Sequence, residues 1–460
     1  MKELAVLLND TVAGTLSELS GRRLSFTYER AYMEGDSPLP LSVSMPVQVA
    51  EHTDRVVAPW LWGLLPDNEA VLSRWARHYQ VSPSSVFAML STPVGLDCPG
   101  AVRFVHRGQL EEVLADEGHV EWLSEAQVAQ RLRELKEDST AWLGKEFTGQ
   151  FSLAGAQAKT ALLFEDGRWG LPSGALATSH ILKPAVAGLD DHDLNEHLCL
   201  EAGRRAGLIC ARTRIAKFED QTAIVVDRYD RVLRNGTIAR IHQEDLCQAL
   251  AVHPSRKYQS EGGPGPDLIV GLLRSVIEPS AADDAVRRFV DALAWNWIIG
   301  GTDAHAKNYS LLLSGGQVRL APLYDIASAL PYRHEKKLRM AMKIGRDYAL
   351  YNYRNPWPKA AADLELEQDR LLGRVLELAT LAPDAFSDAA KQTEVAALGR
   401  PLPQKLIDLV AERAARCQQL LRGDQGLQRV PSAMTTEQSV ADGESQSPEP
   451  IRLKKSPPTS

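Results

Sequence analysis

Between residues 286 and 325 an apolar run, a polar loop, a hairpin and a lone acid follow one another, and this succession constrains the chain more than any other stretch. Val286, Phe289, Val290, Leu293 and Trp297 recur at helical spacing, which predicts a buried helix. That helix delivers "GGTDAHAKNYSLLL", in which an acid, a histidine, a lysine and an amide crowd into residues 303–308. "YSLLLSGGQVRLAP" then reads as a hairpin about a Gly-Gly turn, and "LYDIAS" sets Asp325 directly beyond its second strand. A hairpin returns the chain to where it began, so Asp325 is expected to come back toward Asp303 and Asn308.

Asp303 and Asn308 stand at the D-x-x-x-x-N spacing of phosphotransferase catalytic loops, where the Asp accepts the substrate hydroxyl proton and the Asn holds Mg²⁺. Asp325 would be the second metal ligand, since Mg²⁺ on ATP phosphates calls for hard oxygen donors. Turn chemistry also favours Asp and Asn, so the loop alone does not decide the matter. His305 is expected to orient the loop or contact phosphate, and Lys307 to offset charge developing on the transferred group.

Upstream, Lys183 ends the strand-like "SHILK", either as the lysine that contacts the α- and β-phosphates or as an ordinary strand-end lysine. Glu196 on the next helix either pairs with Lys183 or closes a capping box with Asp193, and the spacing favours the box. "SLAGAQAK", residues 152–159, is expected between two strands, offering Ser152, Ala154, Gly155, Ala156, Gln157 and Lys159 to phosphate. It has one glycine, and the chain has no GxxxxGK[ST] sequence. "VVDRYD" at 225–230 suits a connection between lobes, with the backbone of Asp227 to Tyr229 as the adenine-binding edge.

At 460 residues the chain exceeds what one core sustains, and its pattern divides into blocks. Residues 1–110 combine a small antiparallel sheet with a helical stretch in which the tryptophans and leucines of "WLWGLLPDNEAVLSRWARHY" pack rather than bind. Residues 111–240 hold a solvated connecting helix, "SEAQVAQRLRELKED", and then a β-rich lobe. Residues 241–422 are mostly helical. Residues 423–460 contain no aromatic side chain and are rich in Ser, Pro, Glu and Gln, which predicts disorder. A net charge of -7 argues against an unaided grip on nucleic acid. Five scattered cysteines without metal-ligand spacing, and no apolar span, suggest a cytoplasmic protein with no membrane role.

"FSLAGAQAKTALL", "HILKP", "NEHLCLEAGRRAGL", "DRYDR", "HQEDLCQAL", "GGPG", "TDAHAKNYS" and "LAPLYDIAS", in this order, resemble the HipA family of serine/threonine kinase toxins. "PLPLSVSMPVQ", "GLLPDNEAV" and "GAVRF" extend the resemblance to that family's amino-terminal domain, so it covers roughly residues 1–420. The resemblance implies an α+β, protein-kinase-like two-lobed fold with an additional N-terminal β-rich domain and a mostly helical C-terminal lobe. It implies ATP and Mg²⁺ as cofactors, Asp303 as catalytic base, Asn308 and Asp325 on Mg²⁺, and Lys183 on the ATP phosphates. Gln243, with the backbone near Asp227 and Tyr229, matches nucleotide-contacting positions, and Ser152 matches a serine whose autophosphorylation inactivates the enzyme.

The implied partners are a helix-turn-helix antitoxin of the HipB type, operator DNA mainly through that antitoxin, and a protein substrate such as an aminoacyl-tRNA synthetase. The chain lacks His-Arg before Asp303 and Phe-Gly after Asp325, which puts control by an ordinary activation segment in doubt. The basic "RHEKKLR" at 333–339 reads as a solvated face or a peptide site. Two other readings stay open: a small-molecule kinase of the aminoglycoside type, suggested by Asp303, His305 and Asn308, and a catalytically silent co-repressor.

Overall fold

A computed structural model describes residues 2–234 and 237–423; the expected disordered tail, apart from Gly423, lies outside them. Strands Lys2–Leu8, Thr11–Glu18, Leu24–Tyr28, Glu51–Thr53 and Val102–His106 form one antiparallel sheet in which the first lies between the second and the last. Leu4 to Leu8 are all buried, and Leu4, Val6 and Leu8 share one core with helices Asp54–Gly63, Glu69–Tyr79 and Val86–Leu90. Trp60 and Trp75 are fully buried there, so the aromatic run packs, as its spacing suggests. Asn68 caps Glu69–Tyr79 by accepting from the Ala70 and Val71 N–H groups, which fixes Pro66 and Asp67 just ahead of the helix.

The second sheet runs, edge to edge, Thr213–Phe218, Gln221–Asp227, His180–Lys183, Thr160–Glu165, Arg168–Ser173 and His119–Leu123, with antiparallel neighbours. Two expectations change here. Residues 152–159 do not lie between two strands; the element before them is helix Glu125–Glu137, and the sheet resumes only at Thr160. The helix at 124–138 is not solvated all round: Glu125–Glu137 starts on a Ser124–Gln127 capping box and buries Val128, Ala129, Leu132 and Leu135. Val128, Ala129 and Leu132 pack on Leu162, Leu182 and Val225 of the sheet, a stripe that the density of charges along the helix obscured.

The remaining block is built on the long helices Pro279–Ile299, Gln368–Ala390 and Leu402–Arg422, with Pro266–Val276 and Trp357–Asp363 beside them. A small sheet, His242–Asp245 with Ser310–Ser314 and Gln317–Leu320, faces the cleft. Its hairpin turns on Gly315 and Gly316 at φ +59° and +72°, a left-handed pair that side chains resist.

The first block is welded to the other two through buried charge. Asp97 accepts from Arg231 at 2.8 Å and from Arg228 at 3.3 Å, while Asp230 receives both arginines at 2.8 Å and the Gly100 N–H at 2.7 Å. Glu244 accepts from the Ser42 hydroxyl and from the Val43 N–H at 2.7 Å. All five cysteines are free and buried. Among the described residues no helix is long and apolar enough to cross a membrane.

Candidate active site

The buried helix Pro279–Ile299 ends on Gly300 at φ +72°, and the Gly301 N–H donates to the Asn296 carbonyl at 2.8 Å. A Cβ at Gly301 would meet Asn296 Oδ1 at 2.1 Å, so the paired glycines let the chain turn into the loop. The loop closes on itself: the His305 N–H donates to the Asp303 carbonyl (2.8 Å), as does Asn308 Nδ2 (2.9 Å). The Asn308 N–H donates to the His305 carbonyl at 2.9 Å. The Tyr258 hydroxyl donates to Asp303 Oδ1 at 2.6 Å. Burial pushes the Asp303 carboxyl up to about 6, against the pull of Lys257.

Facing this loop, Lys183 donates at 2.8 Å to Glu196 and at 2.8 Å to Asp325. The reading of Glu196 as a helix cap is therefore overturned. Helix His192–Arg205 has Asp191 at its N-cap with no side-chain cap, and Asp193 is buried in the first turn. A spacing rule sees the sequence neighbours of Glu196, whereas its ammonium partner arrives from the strand packed across it. Burial opposes the charge on Lys183, but Asp325 and Glu196 overcome this and raise it above the ordinary lysine range. Lys183 and Lys159 likewise hold the Asp325 carboxyl well below the usual range against its burial. Asp325 adopts φ +56°, a left-handed conformation uncommon for a residue with a side chain and frequent at functional sites.

The small-residue loop lies between these groups and the first block. Gly155 sits at φ +101°, and a Cβ there would meet Lys159 Nζ at 2.7 Å. Lys159 donates to the Ala154 carbonyl at 2.7 Å; burial, with Lys183 nearby, lowers it to about 8. Ala154, Gly155, Ala156, Gln157 and Lys159 line the same cleft as Lys183, Asp303, Asn308 and Asp325. Ser152 does not. Its hydroxyl is fully buried and donates to the Leu64 carbonyl at 2.6 Å, because the chain enters the loop from beneath the first block.

At the far end of the cleft Asp227 accepts from His180 Nε2 at 3.3 Å, and the Arg228 N–H donates to the Ser179 carbonyl at 2.9 Å. The Tyr229 hydroxyl donates to Gln243 Oε1, which ties the connection to the small sheet. His305 stacks edge-on against Tyr258 at 5.0 Å between ring centres, with Nδ1 unpartnered; burial and neighbouring Lys257 keep it neutral. Lys307 is not free in the cleft: Asp67 accepts from it at 2.9 Å, and from Lys257 at 2.7 Å.

The cleft thus gathers every cofactor and catalytic candidate except Ser152, and adds Asp67 and Lys257, which spacing did not find; Tyr258, equally unforeseen, reaches it through its hydrogen bond to Asp303. Asp67 precedes Lys307 by 240 residues, so no local signal links them.

A β-rich lobe with a lysine–glutamate pair, set against a helical lobe with an Asp–Asn loop and a second Asp, is a protein-kinase-like architecture. The comparisons narrow that class. Residues 4–105 match the HipA N-terminal domain and residues 151–386 the HipA-like C-terminal domain. Y4mE of Sinorhizobium fredii, which carries a provisional kinase name, is 31% identical over 90% of this chain and 98% of its own length. The serine/threonine-protein kinase toxin HipA of Shewanella oneidensis is 28% identical over 91% of this chain and 96% of its own. The fold is that of Shewanella oneidensis HipA solved with HipB and operator DNA, at a TM-score of 0.78 and 24% identity, covering 93% of this chain and all of that one. The chain belongs to the HipA family and is a kinase.

Proposed function

We propose that this protein is an ATP-dependent serine/threonine protein kinase and the toxin of a toxin–antitoxin pair. The observation that carries the reading is Lys183 held between Glu196 and Asp325 across one cleft from Asp303. Lys183 and the loop 154–157 would receive the ATP phosphates, and the backbone at Asp227 to Tyr229, with Gln243, the adenine. Asp303, raised to about 6 and so ionised near neutral pH, would accept the proton of the substrate hydroxyl.

The residues present fit Mg²⁺. Asp325 is an ionised carboxylate, Asn308 spends its Nδ2 on the Asp303 carbonyl and keeps Oδ1, and both line the cleft. Both are hard oxygen donors, and an ion held by two of them would take its other oxygens from phosphates and water. Held there by Asp325 and Asn308, Mg²⁺ would supply positive charge that offsets the charge of the phosphates.

Ser152 would be the inactivating autophosphorylation site. Its burial means that the loop must leave to be modified, and a phosphate of about two negative charges facing the Leu64 carbonyl would keep it out. The acidic chain would reach operator DNA chiefly through a HipB-type antitoxin, by analogy with the Shewanella oneidensis complex of HipA, HipB and operator DNA. A translation component such as an aminoacyl-tRNA synthetase is the proposed substrate. The domain division proposed is 1–110, 111–240 and 241–422.

The test is intact mass after incubation with Mg-ATP, beside Asp303→Asn, with fragmentation to locate phosphate. Phosphoserine in the wild type alone supports the kinase. A wild type that binds ATP but modifies neither itself nor any protein points to a small-molecule kinase or a silent co-repressor.

A further inference from the structure

Asp67 belongs to the first block by chain and packing, yet its carboxylate stands in the phosphotransfer cleft. Pro66 makes a β-bridge with Gly155, and the Asp67 N–H donates to the Gly155 carbonyl at 2.9 Å. Its Oδ1 accepts from Lys307 and its Oδ2 from Lys257. Lys307 follows Asp303 in the catalytic loop, and Lys257 precedes Tyr258, whose hydroxyl is bonded to Asp303. One residue therefore grips the phosphate-facing loop through its backbone and both flanks of the base through its side chain.

These ties are shielded from water: the side chains of Lys307, Asp67 and Lys257 are 2%, 12% and 16% exposed. Burial would raise the Asp67 carboxyl, but the two lysines hold it well below the usual range. The next acid to Lys307 is Asp245 at 3.8 Å, so losing Asp67 would release both ammonium groups toward the carboxylates around them. Attachment of the first block does not explain the arrangement, because Glu244 with Ser42 and Val43 joins the blocks away from the cleft.

We propose that Asp67 is a positioning residue for phosphoryl transfer: it holds Lys307 and Lys257 beside Asp303, and so makes assembly of the site conditional on docking of the N-terminal domain. The inference rests on the phosphotransfer reading above.

The test uses the full chain as wild type, Asp67→Asn, Lys257→Met, the double variant, Asp303→Asn and, as a docking control, Ser42→Ala. The readouts are phosphate incorporation from labelled Mg-ATP into the chain and into casein, the KM for Mg-ATP, and melting temperature. Asp67→Asn is expected to lower kcat about thirtyfold with KM within about threefold, the signature of lost positioning rather than lost binding. The double variant is expected to be far less impaired than the product of the single effects, because Asp67 acts through the lysine. The proposal is overturned if Asp67→Asn keeps the wild-type kcat, if its loss only tracks melting temperature as in Ser42→Ala, or if the single effects multiply. A wild type that transfers no phosphate, or an Asp303→Asn that transfers as well, overturns the phosphotransfer reading and the proposal with it.

Discussion

Lys183 is held by two carboxylates, one 13 residues away in sequence and the other 142. The three groups are mutually necessary, because a buried ammonium without acids, or buried acids without the ammonium, would lose its charge. Burial already raises the Glu196 carboxyl, and Lys183 is what opposes that rise. Lys183→Met should therefore leave Glu196 protonated and, on the proposed role of Lys183 at the ATP phosphates, lower kcat/KM for Mg-ATP about a hundredfold. Steady-state kinetics against ATP checks this, and an unchanged value would remove Lys183 from the phosphate site. Lys183 itself was legible as a strand-end lysine. Its pairing with Glu196 was not, since a capping box fits the same spacing and only the packing of helix on sheet rejects it.

At the scale of elements, the loop that bears Asp303 and Asn308 is positioned by its neighbours. The helix before it is anchored by buried Phe289, Trp295 and Trp297, and the hairpin after it turns on a glycine pair. Gly301→Ala would force Asn296 from its place; a loss of about 1–3 kcal/mol is expected in denaturant unfolding, with loss of phosphate transfer even where the variant is folded. Helix Glu125–Glu137 buries one face against the sheet, and this burial is testable. If its Leu132 face is core, Leu132→Ala should cost about 2–4 kcal/mol in the same measurement, whereas a solvated helix would lose almost nothing. Local periodicity revealed helix Pro279–Ile299 and the hairpin after it because their signals are contiguous. It missed strand His119–Leu123, a half-exposed edge whose pairing with Arg168–Ser173 is set across the sheet.

In the whole molecule, the joints between blocks are polar and buried, so docking responds to protonation. Burial raises the Glu244 carboxyl from 4.5 to about 8, against the hydrogen bonds from Ser42 and Val43. The folded state thus holds this proton more tightly than the unfolded chain, and stability from this group falls as pH rises from about 4.5 to about 8. The slope is at most ~1.4 kcal/mol per pH unit. Glu244→Gln, which resembles the protonated acid, should lack that loss. Melts at pH 6 and pH 8 should show the wild type weakening relative to the variant, and parallel behaviour would refute the assignment. A second joint is tested by Asp97→Asn, which leaves Arg228 and Arg231 short of one acid; a cost of about 3–5 kcal/mol is expected in the same unfolding measurement.

The order of motifs determined the family resemblance, the succession of a β-rich and a helical lobe, and the Asp303–Asn308–Asp325 constellation. These depend on spacing along one continuous stretch or on motifs read in series. Only the tertiary structure decided that Glu196 pairs with Lys183, that Ser152 lies sealed under Leu64, and that Asp67 reaches Lys257 and Lys307. The physical reason is the same each time. A buried charge or hydroxyl takes its partner from whichever element packs against it, and that element is selected by the fold of the whole chain rather than by the residues on either side.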